Sequence, residues 1–279
     1  MENHKRHRLT QKLLSSPIFL VGFLILVTML VVAVVGPLMF PFEDEVSFSL
    51  RLAPPSIKHP FGCDLYGRDV LRASFVGART SLLVSFCTVI VTSTLGSILG
   101  LLAAYFRGFV DRFLSVCLDI VMAFPGILLT MTIASILKPS IFTIIASISL
   151  TGWTGFARIV RAQVLSLREL EYVSANIALG ASSMRTMLKH ILPNIIPPIV
   201  ITASFSLSSV ILIEASLSFL GLGVLGQNPS WGSLLNQGRS VLTEAPHLSV
   251  IPGLLIMLVV LAFNFIGDAL RDALDPKEL

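Results

Sequence analysis

Two carboxylates, Asp119 and Glu214, lie inside long apolar runs, and a polar stretch from Val173 to Gly180, closed by Leu192-Pro193, separates two further runs. These are the positions where chemistry is to be sought. A charge at mid-membrane depth costs about 2.5–3.5 kcal/mol on insertion scales, so such a residue faces protein or a water-filled path. Asp119 lies about two turns from Asp111 and Arg112, and local pairing with them is the simplest expectation. Glu214 sits deeper in its run, where it either pairs across an interhelical seam or lines a path for solute. Neither carries a proton-relay motif around it. Catalytic residues are not expected: the chain has no G-x-x-x-x-G-K-[ST] phosphate loop and no H-E-x-x-H zinc pair, and no glycine is followed by lysine. The three cysteines, Cys63, Cys87 and Cys117, give neither a disulfide framework nor a metal-ligand spacing.

The elements that must position these residues follow from composition. The 279 residues are 54% hydrophobic and 13% charged, against about 25% charged in soluble domains. Too few polar side chains remain to coat a water-facing globule, so an all-α integral membrane protein is expected. The net charge of +4 does not point to nucleic acid, because the basic residues cluster at the ends of apolar runs, where they orient spans and meet anionic headgroups.

A helix needs about 20 apolar residues to cross a bilayer core. Six runs meet or approach that length: Ile18 to Phe40, Ser81 to Tyr105, Phe113 to Leu137, Ile141 to Ile159, Ile195 to Leu220 and Leu248 to Gly267. Alternating β patterning is absent from them. The first run is longer than a signal h-region of about 7–15 residues, and no small-x-small cleavage site follows it, so it reads as a retained span. The larger share of Lys and Arg falls on one side when the N-terminus is placed inside, which puts both termini in the cytoplasm. The chain then divides into a cytoplasmic tail (1–16), a first transmembrane helix (17–40) and an external loop with a surface helix in its second half (41–78). A membrane core (79–267) holding a cytoplasmic segment (161–192) and a cytoplasmic tail (268–279) follow.

Within the spans, Gly96 and Gly100, beside Ser93 and Ser97, let a neighbouring backbone approach closely; packing inside the subunit is the first reading and contact with another subunit the second. Pro125 is expected to kink the third span. In the external segment 221–246, Asn228-Pro229-Ser230-Trp231-Gly232 reads as a turn followed by an interfacial aromatic.

From Arg161 to Leu192 the chain is polar, proline-free and rich in helix formers. Leu165, Leu167, Leu170, Val173, Ile177 and Leu179 alternate with polar residues at the spacing of an amphipathic helix. Gly180 tolerates a helix end or sharp bend. Ser182 or Ser183 caps a second short helix running to His190, and Pro193 opens the next element. A helix–bend–helix with exposed apolar residues suits a groove on another protein; the alternative is an amphipathic helix lying on the inner leaflet.

These residues carry a resemblance. The cytoplasmic motif of permease subunits of binding-protein-dependent ABC importers reads E-A-A, three residues, Gly, nine residues, Ile, one residue, Leu-Pro. Ala175, Gly180, Leu192 and Pro193 match it at that spacing, with Ser174 in place of the Glu, Asn176 in place of the second Ala and His190 in place of the Ile. His59-Pro60-Phe61-Gly62-Cys63-Asp64 with Gly67-Arg68-Asp69-Val70 is similar to the external signature of the dipeptide/oligopeptide/nickel branch. Ala215 to Gly223 with Pro229-Ser230-Trp231-Gly232, and Phe263 to Asp272 with Asp275-Pro276, are similar to its later segments.

The resemblance implies six transmembrane helices with a five-helix type I ABC importer core and a cytoplasmic coupling helix. It implies that Ser174, Ala175, Asn176, Gly180, Leu192 and Pro193 belong to the segment that docks on an ATPase. It further implies a second homologous permease subunit, two ABC ATPase subunits that hold ATP and Mg, and an external solute-binding protein, in the cell membrane (the inner membrane of a Gram-negative cell). No cofactor or metal is implied in this chain. Di- or oligopeptides are the expected cargo. A nickel or metal-chelate importer of the same branch is the first alternative, and an ion-gradient-driven secondary transporter, for which Asp119 and Glu214 would be the paired acids, is the second.

Overall fold

The computed structural model describes residues 11–42, 46–223 and 228–274. The expectations placed on Asp275-Pro276 and on the basic residues within 1–10 and 275–279 lie outside them. The described residues form helices joined by turns and loops, and no strand longer than an isolated bridge, Cys63 to Asp69, occurs among them. The helices are α1 (Pro17–Met39), α2 (Val70–Phe106), α3 (Gly108–Met122), α4 (Gly126–Ile136), α5 (Ile141–Arg168), α6 (Glu171–Ala178), α7 (Ser183–Phe219), α8 (Trp231–Arg239) and α9 (His247–Leu274). Five of them are long and apolar enough to cross a membrane, and α3 with α4 makes a sixth span if the bent pair is one.

Local chemistry explains the ends. Ser16 caps α1, its hydroxyl accepting from the Phe19 N–H, and Pro17 takes the first position, where a missing N–H costs nothing. Asp69 caps α2 by accepting from the N–H groups of Leu71 and Arg72 at 2.8 and 3.2 Å. α2 then runs for 37 residues, about 55 Å at 1.5 Å per residue. The surface helix expected before Arg79 is instead the opening of this continuous helix. Nothing in Val70 to Arg79 breaks helical hydrogen bonding, and Asp69 supplies the start one residue earlier.

The third apolar run is broken outright. α3 and α4 meet at an angle of 82° across Ala123-Phe124-Pro125. Pro125 lacks the N–H that would continue α3 and disfavours helix at the residue before it, so the kink expected there is a full corner.

α2 and α5 pack closely against each other. A Cβ on Gly96 would strike the Trp153 carbonyl and lie 2.7 Å from the Phe156 Cβ, and one on Gly100 would lie 2.5 Å from the Ala157 carbonyl oxygen. The small residues therefore serve packing within the subunit. One buried cluster joins α1, α2, α7, α8 and α9 around Leu82, Ile211, Trp231 and Phe263. A second joins α2, α4, α5 and α7 around Val84, Ile148, Phe156 and Leu217. A third gathers Tyr105, Val160, Val164, Met187, Ile191 and Ile195 where α2, α5 and α7 converge.

Candidate functional site at the α5–α7 bend

The polar stretch between the fourth and fifth apolar runs is two helices and a glycine corner, and its boundaries differ from the sequence expectation. α5 carries on to Arg168, so Arg161 to Arg168 belong to the long helix. α6 then holds Ser174, Ala175 and Asn176. Gly180 follows with φ +84°, and the Ala181 N–H donates to the Asn176 carbonyl at 3.2 Å. That is the six-to-one bond of a Schellman ending, with Gly180 in the left-handed position that closes it. A Cβ on Gly180 would meet nothing within 4 Å, so backbone conformation, not space, requires glycine there.

Ser182 caps the next helix, its hydroxyl accepting from the Arg185 N–H at 3.4 Å. This helix does not stop at His190. A π turn over Met187–Ile191 leads directly into Leu192–Phe219, so Leu192 and Pro193 lie inside a continuous α7. Pro193 is accommodated because the wider π turn before it shifts the hydrogen-bond pattern where its N–H is missing.

The segment is tied down on three sides. The Asn176 side-chain amide donates to the Thr186 hydroxyl at 3.1 Å, joining α6 to α7. Asn194 donates to the His190 carbonyl at 2.7 Å and to the Tyr172 hydroxyl at 3.5 Å. Arg168 donates to the Tyr105 carbonyl and stacks its guanidinium 5.4 Å from the same ring, fixing the end of α5 to the end of α2. Arg107 and Glu169 pair at 3.3 Å beside it. About two turns further into the bundle, Arg161 holds Asp111 with both nitrogens of its fork, joining α3 to α5. Val173, Met187 and Ile191 are buried beneath. Leu179 is 87% exposed at the tip, with Leu170, Tyr172, Met184 and Leu188 exposed around it. The result is a braced knob with an apolar crown and two cations, Arg185 and Lys189, on its flank.

The two carboxylates part company. Asp119 is exposed on α3 and has no side-chain partner among the described residues; Asp111, its expected neighbour, is engaged by Arg161. Glu214 is wholly buried. It accepts from the Ser218 hydroxyl at 2.7 Å and the Ser81 hydroxyl at 3.0 Å, and the Ser230 side chain also reaches it. Ser81 in turn accepts from the Trp231 N–H at 3.3 Å. Glu214 is thus an interhelical node among α2, α7 and the start of α8, and lines no open path in this structure. Its partners were missed because no spacing connects Ser81 or Ser230 to position 214.

Trp231 is a correction of the same origin. It is not at an interface but completely buried, its indole N–H donating to the Ser74 carbonyl at 3.1 Å. Ser230 and Ser233 form a reciprocal capping box at the head of α8. Gly77 on α2 and Gly232 on α8 leave room for the indole and for the α7 backbone.

At the same end of the bundle, the loop before α2 is folded by the motif residues themselves. His59 Nδ1 lies 2.8 Å from Asp69 Oδ2. The buried Asp64 accepts from the Tyr66 and Arg68 N–H groups and from Arg68 Nε, each at 2.8–2.9 Å. Cys63 is fully buried beside them, and burial, then the charges of Asp69 and Asp64, push its thiol above the usual range.

The bend is thus tied to the ends of α2 and α5 and runs on into α7. Comparisons with known proteins identify the family. Residues 96–278 match the family described as binding-protein-dependent transport system inner membrane component. A dipeptide transport system permease protein of Alkalihalophilus pseudofirmus is 41% identical over 96% of this chain and 88% of its own length. A putative peptide transport system permease of Brucella suis is 38% identical over 96% and 90%. A glutathione transport system permease of Escherichia coli is 37% identical over 91% and 84%. Among solved structures, the inward-facing MetNI methionine ABC transporter shares the fold, with a TM-score of 0.55 and 20% identity over 70% of this chain and 94% of that one. The chain belongs to the inner membrane components of binding-protein-dependent transport systems and is a permease of an ABC importer.

Proposed function

We propose that this permease carries di- or oligopeptides, including glutathione-like peptides, into the cytoplasm by alternating access, and that the knob formed by α6, Gly180 and the start of α7 is where a partner ATPase takes hold. The observation that carries the coupling role is the braced bend itself, with Leu179 standing 87% exposed above anchored helices. The names of the relatives support the cargo. On this reading Ser174, Ala175, Asn176 and Gly180 lie in the docking surface, while Leu192 and Pro193 carry its motion into α7. The complex contains a second homologous permease, two ATPase subunits holding ATP and Mg, and an external solute-binding protein. Both termini and the bend face the cytoplasm, and the loop before α2 faces outward.

The ATPases can shift the inward–outward equilibrium only through contacts that differ between the two states. The knob is suited to that because its tethers run into α2, α5 and α7 at once. Asp119, exposed on α3 and without a side-chain partner among the described residues, faces the translocation path, since a bare carboxylate against lipid is unfavourable.

The test is uptake of a labelled dipeptide into vesicles holding the purified complex and its binding protein. Uptake should require ATP and persist when ionophores collapse proton and sodium gradients. Uptake that follows a gradient and ignores ATP would overturn the reading.

A further inference from the structure

A cavity of about 480 Å³ opens at the loop end of the bundle, between the end of α1, the first turns of α2 and the start of α5. Pro37, Val76, Leu83 and Ile141 give it apolar walls, and Arg79 and Asn228 give it polar groups. No acid lines it. Arg79 is exposed and makes no hydrogen bond or ion pair within the described residues. It lies one turn along α2 from Phe75, whose ring packs on Gly36 near the end of α1. The guanidinium therefore stands at the rim of the membrane-spanning region, in a site that is half apolar.

An unpaired guanidinium among apolar walls calls for an oxyanion, which its planar fork binds through two parallel hydrogen bonds. The Asn228 amide can donate beside it. The volume suits a small amphiphile, since small-molecule sites run from roughly 300 to 1,000 Å³.

We infer that this cavity binds the carboxylate or phosphate head of an amphiphilic molecule at Arg79, with the molecule's apolar body against Pro37, Val76, Leu83 and Ile141. Two sources share that chemistry. One is the phosphodiester of an anionic phospholipid; the other is the terminal carboxylate of arriving cargo, and this second source rests on the peptide reading above.

The intact complex distinguishes them. Native mass spectrometry counts phosphatidylglycerol retained by the purified wild type, Arg79→Gln and Ile141→Trp, the last filling the cavity while keeping the arginine. Uptake of Ala-Ala against Ala-Ala-amide is compared in vesicles of phosphatidylcholine alone. If the head is lipid, both variants lose the retained phosphatidylglycerol and the two peptides compete as before. If it is cargo, preference for the free acid falls by about tenfold in both, as expected for one lost charge-assisted contact. Variants that match the wild type in both measurements overturn the site. If the variants do not accumulate, a wild type that neither retains phosphatidylglycerol nor prefers the free acid overturns it equally. Failure of the wild type to take up either peptide strikes the cargo reading and leaves the lipid measurement to decide the cavity.

Discussion

At the residue scale, three positions carry separable expectations. Gly180 holds φ +84° in open space, so valine there meets no neighbour and is opposed only by its backbone, at a cost of about 1–3 kcal/mol. That is enough to displace the bend while leaving the bundle intact. Gly180→Val should accumulate normally and hydrolyse ATP with its partners, but lose most ATP-driven uptake; ATPase turnover and uptake measured on one preparation check this. Glu214→Gln should do the opposite. Its partners are hydroxyl donors in a buried node, and an amide presents N–H where an acceptor was, leaving groups unsatisfied at about 1–3 kcal/mol. Protein abundance should fall while uptake per molecule stays unchanged. If Asp119 faces the path as proposed, Asp119→Asn should keep its abundance and reduce uptake per molecule, because no tether among the described residues is lost and only a charge changes. Immunoblots and uptake normalised to protein separate the last two variants.

At the element scale, α8 shows what patterning can and cannot disclose. The sequence reads as a turn followed by an aromatic where the structure has the nine-residue helix Trp231–Arg239. Burial of Trp231 was not legible, because it depends on Gly77, Ser74 and Ser81, about 150 residues earlier, meeting it in space. Trp231→Ala should destabilise the protein by about 3–5 kcal/mol, seen as a lowered Tm of the detergent-purified complex, whereas Trp231→Phe keeps most of the packing and loses one hydrogen bond. The same lesson applies to the bend. Gly180 and Ser182 were legible because caps and left-handed corners are local chemistry. The extension of α5 to Arg168 and the passage of α7 through Pro193 were not, since polar residues at a helix end read as a new element and proline reads as a start. The 82° corner at Pro125 exceeded the expected kink because the hydrogen bonds that could bridge it depend on what packs across it.

At the scale of the whole molecule, α7 joins the two ends of the bundle. α7 runs from the Ser182 cap to Phe219, about 55 Å by its length, so its two ends lie at opposite ends of the bundle. One end carries the braced knob, and the other carries Glu214, Ser218 and the docked α8. On the proposed coupling role, a displacement of the knob is delivered along α7 to the end that holds Glu214 and α8. The membrane class and the five long apolar helices were legible from apolar runs alone, because a bilayer imposes helix length directly, whereas the third of the six runs is a pair broken at 82°. The bracing of the bend was not legible, since it depends on tethers such as Asn176 to Thr186 and Arg168 to Tyr105 that link separate elements.

Cross-linking from the tip of the knob tests the central claim most directly. Leu179→Cys, in a chain whose three native cysteines are replaced by alanine, is treated with a bifunctional thiol reagent in membranes containing the whole complex. The account predicts a cross-link to an ATPase subunit, changed in yield when ATP is trapped. Labelling of that cysteine by a membrane-impermeant maleimide added outside intact cells, with no ATPase cross-linked, would contradict it.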